Sequence, residues 1–138
     1  MKTLNQNMGQ KGVAAVEFCI VLPLLVTLVF GIIDFGLLFY NKQVITNASR
    51  EGARARTTGE LGIDVKDIVI NYCDEYLINL GNNDIHAKPS VDDINISAPD
   101  TDDDITVSVL YNHHYAFASI IGLDNTVISA QTVMRMEQ

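Results

Sequence analysis

Hydrophobic and polar residues change their spacing along the chain, and each change marks an element. The 16 residues from Phe18 to Ile33 carry no charge. As a helix that run measures roughly 24 Å, slightly less than a ~30 Å hydrocarbon core. Extension to Val13 and Tyr40 covers the core with room for tilt and brings in two acids, Glu17 and Asp34. Each lies about 12–13 Å from the middle of the run at the helical rise, close to a headgroup boundary. At the centre an Asp would cost about 2.5–3.5 kcal/mol. The pattern predicts a membrane-spanning helix that continues without a breaker to Arg56, a single rod of about 66 Å over Val13–Arg56. Its outer half then needs a domain or a partner to lie on. Pro23 removes the hydrogen bond to the Cys19 carbonyl and predicts a bend. Gly31 and Gly36 lack the four-residue spacing of a helix-dimer motif. Arg50 and Arg54 share one face a turn apart, where like charges repel by a few tenths of a kcal/mol. Lipid phosphates or a partner's carboxylates would offset that repulsion, and so would simple solvation.

Thr57-Thr58-Gly59 and Gly62 end the helical pattern and mark a linker. Apolar residues then recur at three- and four-residue steps from Val65 to Leu80. They predict a second helix over Asp64–Leu80 with Gly81 as its stop. Beyond Asn82-Asn83 the period falls toward two. Ile85–Lys88 fits a short strand ended by Pro89, and Val91–Ser97 alternates in part. Asp104–Tyr111 alternates cleanly, with Ile105, Val107 and Val109 on one face, and Thr126–Met136 does likewise. Tyr115–Ile121 fits either a strand or a loop. The expected class is α+β: a long N-terminal membrane-spanning helix, then a small domain with one amphipathic helix on a mainly antiparallel sheet.

Charge sharpens this division. The chain is 138 residues long, with 9 basic and 17 acidic residues. Residues 57–138 hold three of the basic residues (Lys66, Lys88 and Arg135) and fourteen of the acids. An acidic domain on an apolar anchor is the wrong surface for nucleic acid. The expected organisation is a basic leader (1–12), the long helix (13–56) and the acidic domain (57–138). The leader has Lys2 and Lys11 and no acid. Its basic-then-apolar order is that of a secretory signal, but the apolar run is too long and lacks a small-residue cleavage site after it. Cys19 lies in the apolar run and Cys73 in the polar half, so no internal disulfide is expected. Cys73 reads as a small buried apolar residue or a free thiol.

No catalytic, cofactor or metal site is expected. The acids Asp100, Asp102, Asp103 and Asp104 have Ile105 and Tyr111 where a calcium loop needs Gly and Glu. His113 and His114 are adjacent on a strand and point to opposite faces, a poor metal pair. Nucleophile, phosphate-loop and dinucleotide patterns are lacking.

The order Gly12-Val-Ala-Ala-Val-Glu17-Phe18 before an apolar helix resembles the processing site of type IV pilins, in the tight-adherence (Tad/Flp) subclass. Leu22-Pro23-Leu24-Leu25, Ile33-Asp34-Phe35-Gly36 and Asn47-Ala48-Ser49-Arg50-Glu51-Gly52-Ala53-Arg54 extend the resemblance to the TadE-like minor pseudopilins. It is specific over Gly12–Arg56 and weak beyond. Cys19 and Ser49 stand where Ala is usual. The resemblance implies a cut by a prepilin peptidase after Gly12, leaving Val13 as the new N-terminus and Glu17 as the fifth mature residue. The new ammonium would then face a neighbouring subunit's Glu17 carboxylate and set the stagger between helices. Gly12, Val13, Glu17 and Phe18 are thus the processing residues, and Glu17, Pro23, Asp34, Arg50 and Arg54 the expected assembly contacts. Implied partners are other pilin-like subunits, the prepilin peptidase, the inner-membrane pilus assembly machinery and membrane lipid, with no cofactor. The expected location is the bacterial inner membrane, N-terminus cytoplasmic and domain periplasmic. The basic count (Lys2 and Lys11 before the span; Lys42, Arg50, Arg54 and Arg56 after it) points the other way. The processing motif is the more specific signal, and the arginines lie one to several turns past the apolar end. An unprocessed, signal-anchored periplasmic binding module is the alternative.

Overall fold

The computed structural model describes residues 7–58, 65–80, 88–97 and 104–136. Helix α1 spans Asn7–Thr57 without interruption and runs through Pro23. The Thr27 hydroxyl donates to the Pro23 carbonyl at 2.8 Å, one turn beyond the ring. Helix α2 spans Val65–Tyr76. A 3-10 turn over Val91–Asp93 leads into strand β1, Ile94–Ile96. Ser90 precedes that turn, and both its N–H and its hydroxyl donate to the Asp93 carboxylate. Strand β2 is Asp104–His114 and strand β3 is Asn125–Arg135. The order β1-β2-β3 is antiparallel throughout. The expected α+β architecture is therefore the one observed. The segment Tyr115–Ile121, open between strand and loop in the sequence, is a loop with a 3-10 turn at Ala118–Ile121. Of the short strand expected at Ile85–Lys88, residues 85–87 lie outside the described residues, and Lys88 is a bend that pairs with Asp74.

Alternation decides which face of the sheet is dry. Ile105, Val107, Val109, Tyr111 and His113 of β2 all point inward and are buried. The register sets Val109 opposite Ile94 on one side and Ala130 on the other, so one layer of the core crosses all three strands. Two helices cover this face. The outer half of α1 contributes Ile45, Ala48 and Ala53, and α2 contributes Val69 and Cys73. The outer half of the rod thus lies on its own domain. Gly52 lets α2 approach, since a methyl placed there would fall 2.6 Å from Val69 Cγ2. Ser49, which departs from the usual Ala, shares a 2.7 Å hydrogen bond with the Thr132 hydroxyl of β3. Arg135 and Asp104 pair across the far end of the β2–β3 hairpin.

Helix α2 stops four residues short of the expected Leu80. Leu77 still donates to the Cys73 carbonyl, but both backbone groups of Ile78 are taken by the side chain of Asn41 on α1. A side-chain amide one helix away has replaced the next turn of the ladder.

Candidate functional site

Residues 12–29 of α1 form the first part of the site, and each of them is exposed. Apolar side chains point outward on every side of the helix: Val13, Val16, Phe18, Ile20, Val21, Leu24 and Leu25 are more than half exposed. A helix that is apolar all round and uncovered by its own chain belongs in lipid or among other helices. It is long and apolar enough to cross a membrane, and nothing in the fold buries that stretch. The chain therefore carries a single-pass membrane anchor. Gly12 sits at its exposed start, with open space where a β-carbon would go. Glu17 and Phe18 follow about one turn on, both exposed. Pro23 lies on the same uncovered stretch, and Arg50 and Arg54 project from the exposed side of the outer half.

Asp34 is different. The sequence places it at a headgroup boundary, but the structure leaves it 2% exposed and engaged by its own chain. Three successive backbone N–H groups of the β2–β3 loop donate to its carboxylate. Ala116 reaches Oδ1 at 3.1 Å, Phe117 reaches Oδ2 at 3.0 Å and Ala118 reaches Oδ2 at 2.6 Å. Consecutive amides opening a 3-10 turn make an anion-binding concavity. One turn earlier, Phe30 stacks on Phe117 with ring centroids 4.1 Å apart. A cleft of about 190 Å³ remains between this loop and α1, lined by Thr27, Phe30, Gly31, Phe35, Ile120 and Leu123 among others. The domain is thus clasped to the helix where the apolar run ends.

A second polar contact lies further along α1. Asn41 is fully buried. Its Nδ2 donates to the Ile78 carbonyl at 2.8 Å and to His113 Nδ1 at 3.0 Å. The paired contacts with Ile78 fix which amide atom is nitrogen, so Nδ1 of His113 is the acceptor and its proton sits on Nε2. That Nε2 is buried without a hydrogen-bond partner. Burial lowers the His113 pKa from its ordinary 6.5; the Asp34 carboxylate opposes this and His114 adds to it. Because the folded pKa lies below the unfolded one, the neutral ring is the form the fold holds. Stability is whole above the ordinary His range and falls with acidification through it, by at most about 1.4 kcal/mol per pH unit. Chemical denaturation of the full chain in micelles between pH 7.5 and 5 should show that loss, and His113→Gln should reduce it. Unchanged slopes in the variant would place the titration elsewhere.

Cys73 is buried against the sheet, and desolvation raises its thiol to about 11. In a Cys19→Ser chain, Cys73 should resist a thiol reagent until denaturant is added. Rapid labelling of the native chain would contradict its placement in the core.

Residues 12–54 match the family model of the TadE-like proteins. The match covers the exposed apolar stretch and the outer half as far as Arg54, all but the last two residues of the region that carries the sequence resemblance. No curated protein and no solved structure is significantly similar to the chain. Of the residues expected to make assembly contacts, the structure leaves Glu17, Pro23, Arg50 and Arg54 of the TadE-like segment on the surface and turns Asp34 inward. Sequence reasoning missed Asn41 and the 116–118 amides, since neither an isolated Asn nor backbone groups leave a pattern to read.

Proposed function

We propose that the chain is a minor pseudopilin of TadE type that acts by assembly, not catalysis, in a tight-adherence type IV pilus system. A prepilin peptidase cuts after Gly12 on the cytoplasmic side, and the freed helix packs sideways among other pilin-like helices in the inner membrane. The acidic domain stands in the periplasm, where it primes or caps the pilus. The observation that carries this reading is the division of one TadE-like helix. Its first half is apolar and uncovered on all sides, while its second half is seated on its own domain. Such a helix has room for neighbours on every side along the half that lies in the membrane, and on its exposed side alone beyond it. Within that half Glu17 is a lone carboxylate among apolar side chains, and a neighbour's new N-terminal ammonium is the partner that would satisfy it.

Gly12 gives a clean test, because a side chain there meets nothing in the fold. Mass spectrometry of the chain from its own membranes should find Val13 as the first residue. Gly12→Leu should leave the chain at full length while the folded domain is unchanged. A wild-type chain that keeps its first 12 residues would favour an unprocessed anchored module. A cytoplasm-only reporter active at the C-terminus would overturn the orientation.

A further inference from the structure

We infer that the loop between β2 and β3 is a second membrane contact: a rigid apolar foot that dips into the bilayer surface beside α1. Its occupant is the acyl and headgroup region of the leaflet on the domain's side. The inference rests on α1 spanning the membrane and is independent of any role in a pilus.

Length along α1 carries the argument. Val13 to Ile33 measures about 31 Å, so a ~30 Å hydrocarbon core uses the entire run. If Glu17 stays outside the core, still fewer residues are available to cross it. In either case Phe30 lies about 5 Å or more inside the boundary. Phe117 of the loop stacks directly on Phe30, and Thr27, a further turn inside, lines the cleft between helix and loop. The loop cannot rest on that part of α1 without entering the membrane surface.

Its chemistry suits that position. Tyr115–Leu123 contains no charged residue, in a domain that is otherwise strongly acidic. Ile120 and Leu123 are 81% and 54% exposed, and Phe35 of α1 beside them is 56% exposed. Together they continue the lipid-facing surface of the helix onto the domain. Entry into lipid demands satisfied backbone groups. The N–H groups of Ala116, Phe117 and Ala118 go to Asp34, that of Ile120 to the Phe117 carbonyl, that of Gly122 to Ser119 and that of Leu123 to Ala118. Gly122 closes the turn at φ 87°, where a side chain would be strained. Asp34, the acid at the end of the span, is sheltered by the same amides. The foot thus both enters the interface and lets the charged end of the helix approach it.

The test uses the full chain in lipid nanodiscs, one chain per disc, in a Cys19→Ser background with Cys73 left in the core. An environment-sensitive fluorophore is attached at Ile120→Cys, at Leu25→Cys in mid-span, or at Val133→Cys. Val133 is exposed near the other end of the hairpin, ~26 Å along β3 from the foot. At a depth of roughly 5–10 Å, the Ile120 probe should be quenched by lipids carrying a shallow spin label at least about twice as strongly as the Val133 probe, and should be shielded from aqueous iodide. If Leu25 is quenched by lipid while Ile120 behaves like Val133, the anchor stands and the foot is refuted. Shielding from both quenchers, or shielding that appears only with two chains per disc, also refutes it, in favour of the chain itself or a second copy. A Leu25 probe untouched by lipid would remove the spanning helix and the inference together.

Discussion

Replacing Asp34 by alanine should destabilise the domain by about 3 kcal/mol, a drop in melting temperature of more than about 10 °C. The estimate follows from what the carboxylate satisfies. Three half-buried backbone N–H groups point at it, and hydrogen bonds to a charged acceptor are worth about 1.5–3 kcal/mol each, less what water recovers. Among the described residues these amides donate to Asp34 alone. Without Asp34 the 116–118 amides lose their acceptor, the Phe30–Phe117 stack loses its support and the loop leaves α1. Asp34→Asn retains one oxygen for this set and should cost less than half as much. Thermal unfolding of the full chain in micelles, followed by the tyrosine and phenylalanine signals in the near-ultraviolet, measures both. An alanine variant that melts within a couple of degrees of wild type would show that the clasp contributes little.

The other large effect is expected at Gly52, where the helices meet. A β-carbon there would lie 2.6 Å from Val69 Cγ2, 3.3 Å from Val65 Cγ1 and 3.6 Å from Val107 Cγ1. Val69 is fully buried, and a β-branched side chain in a helix has one strongly preferred rotamer, so it cannot swing aside. Gly52→Ala must therefore push α2 away from α1. Overpacking costs about 1–3 kcal/mol, against which the better helix propensity of Ala returns about 0.8–1 kcal/mol. Gly52→Val, with a larger volume and no propensity gain to match, should lose more. The decisive measurement is a double-mutant cycle. If contact with Val69 is the cause, Gly52→Ala with Val69→Ala should be less harmful than the two changes summed, with a coupling of about 0.5–3 kcal/mol. Additive losses would point to backbone entropy or another neighbour.

Both residues lie within the segment that matches the TadE-like family, yet neither reading was open from their surroundings in the chain. Asp34 sits at the end of an apolar run, and the sequence places it near lipid headgroups. Its depth along the helix fits that view, but its ligands are amides 82 to 84 residues away. Gly52 stands in an Ala-rich helical stretch, where it reads as a mild weakness until α2 is seen against it. Strand positions fared better. Ile105, Val107 and Val109 alternate in the sequence and all three are buried in the fold, because a strand's side-chain period needs no partner to define it. The opposed directions of His113 and His114 followed from the same rule, with His113 buried and His114 half-exposed.

By itself the sequence determined what local spacing and composition can determine. It set the uncharged run from Phe18 to Ile33, though not the helix's start at Asn7, six residues before the expected Val13, together with the processing-like order from Gly12 to Phe18, the acidity of the domain and the inward face of the strands. These follow from the helical rise, the two-residue pleat and the cost of charge in lipid, each a property of neighbours in the chain. Tertiary structure alone decided where the rod ceases to be free and becomes part of its own domain. It also decided that α2 ends at Tyr76 and that the loop between β2 and β3 sets exposed Ile120 and Leu123 beside α1. Those outcomes depend on single polar side chains, Asp34 and Asn41, choosing backbone partners between 37 and 84 residues away. Such a choice is settled by which unsatisfied amides the folded chain brings within reach, and no periodicity along the sequence records it.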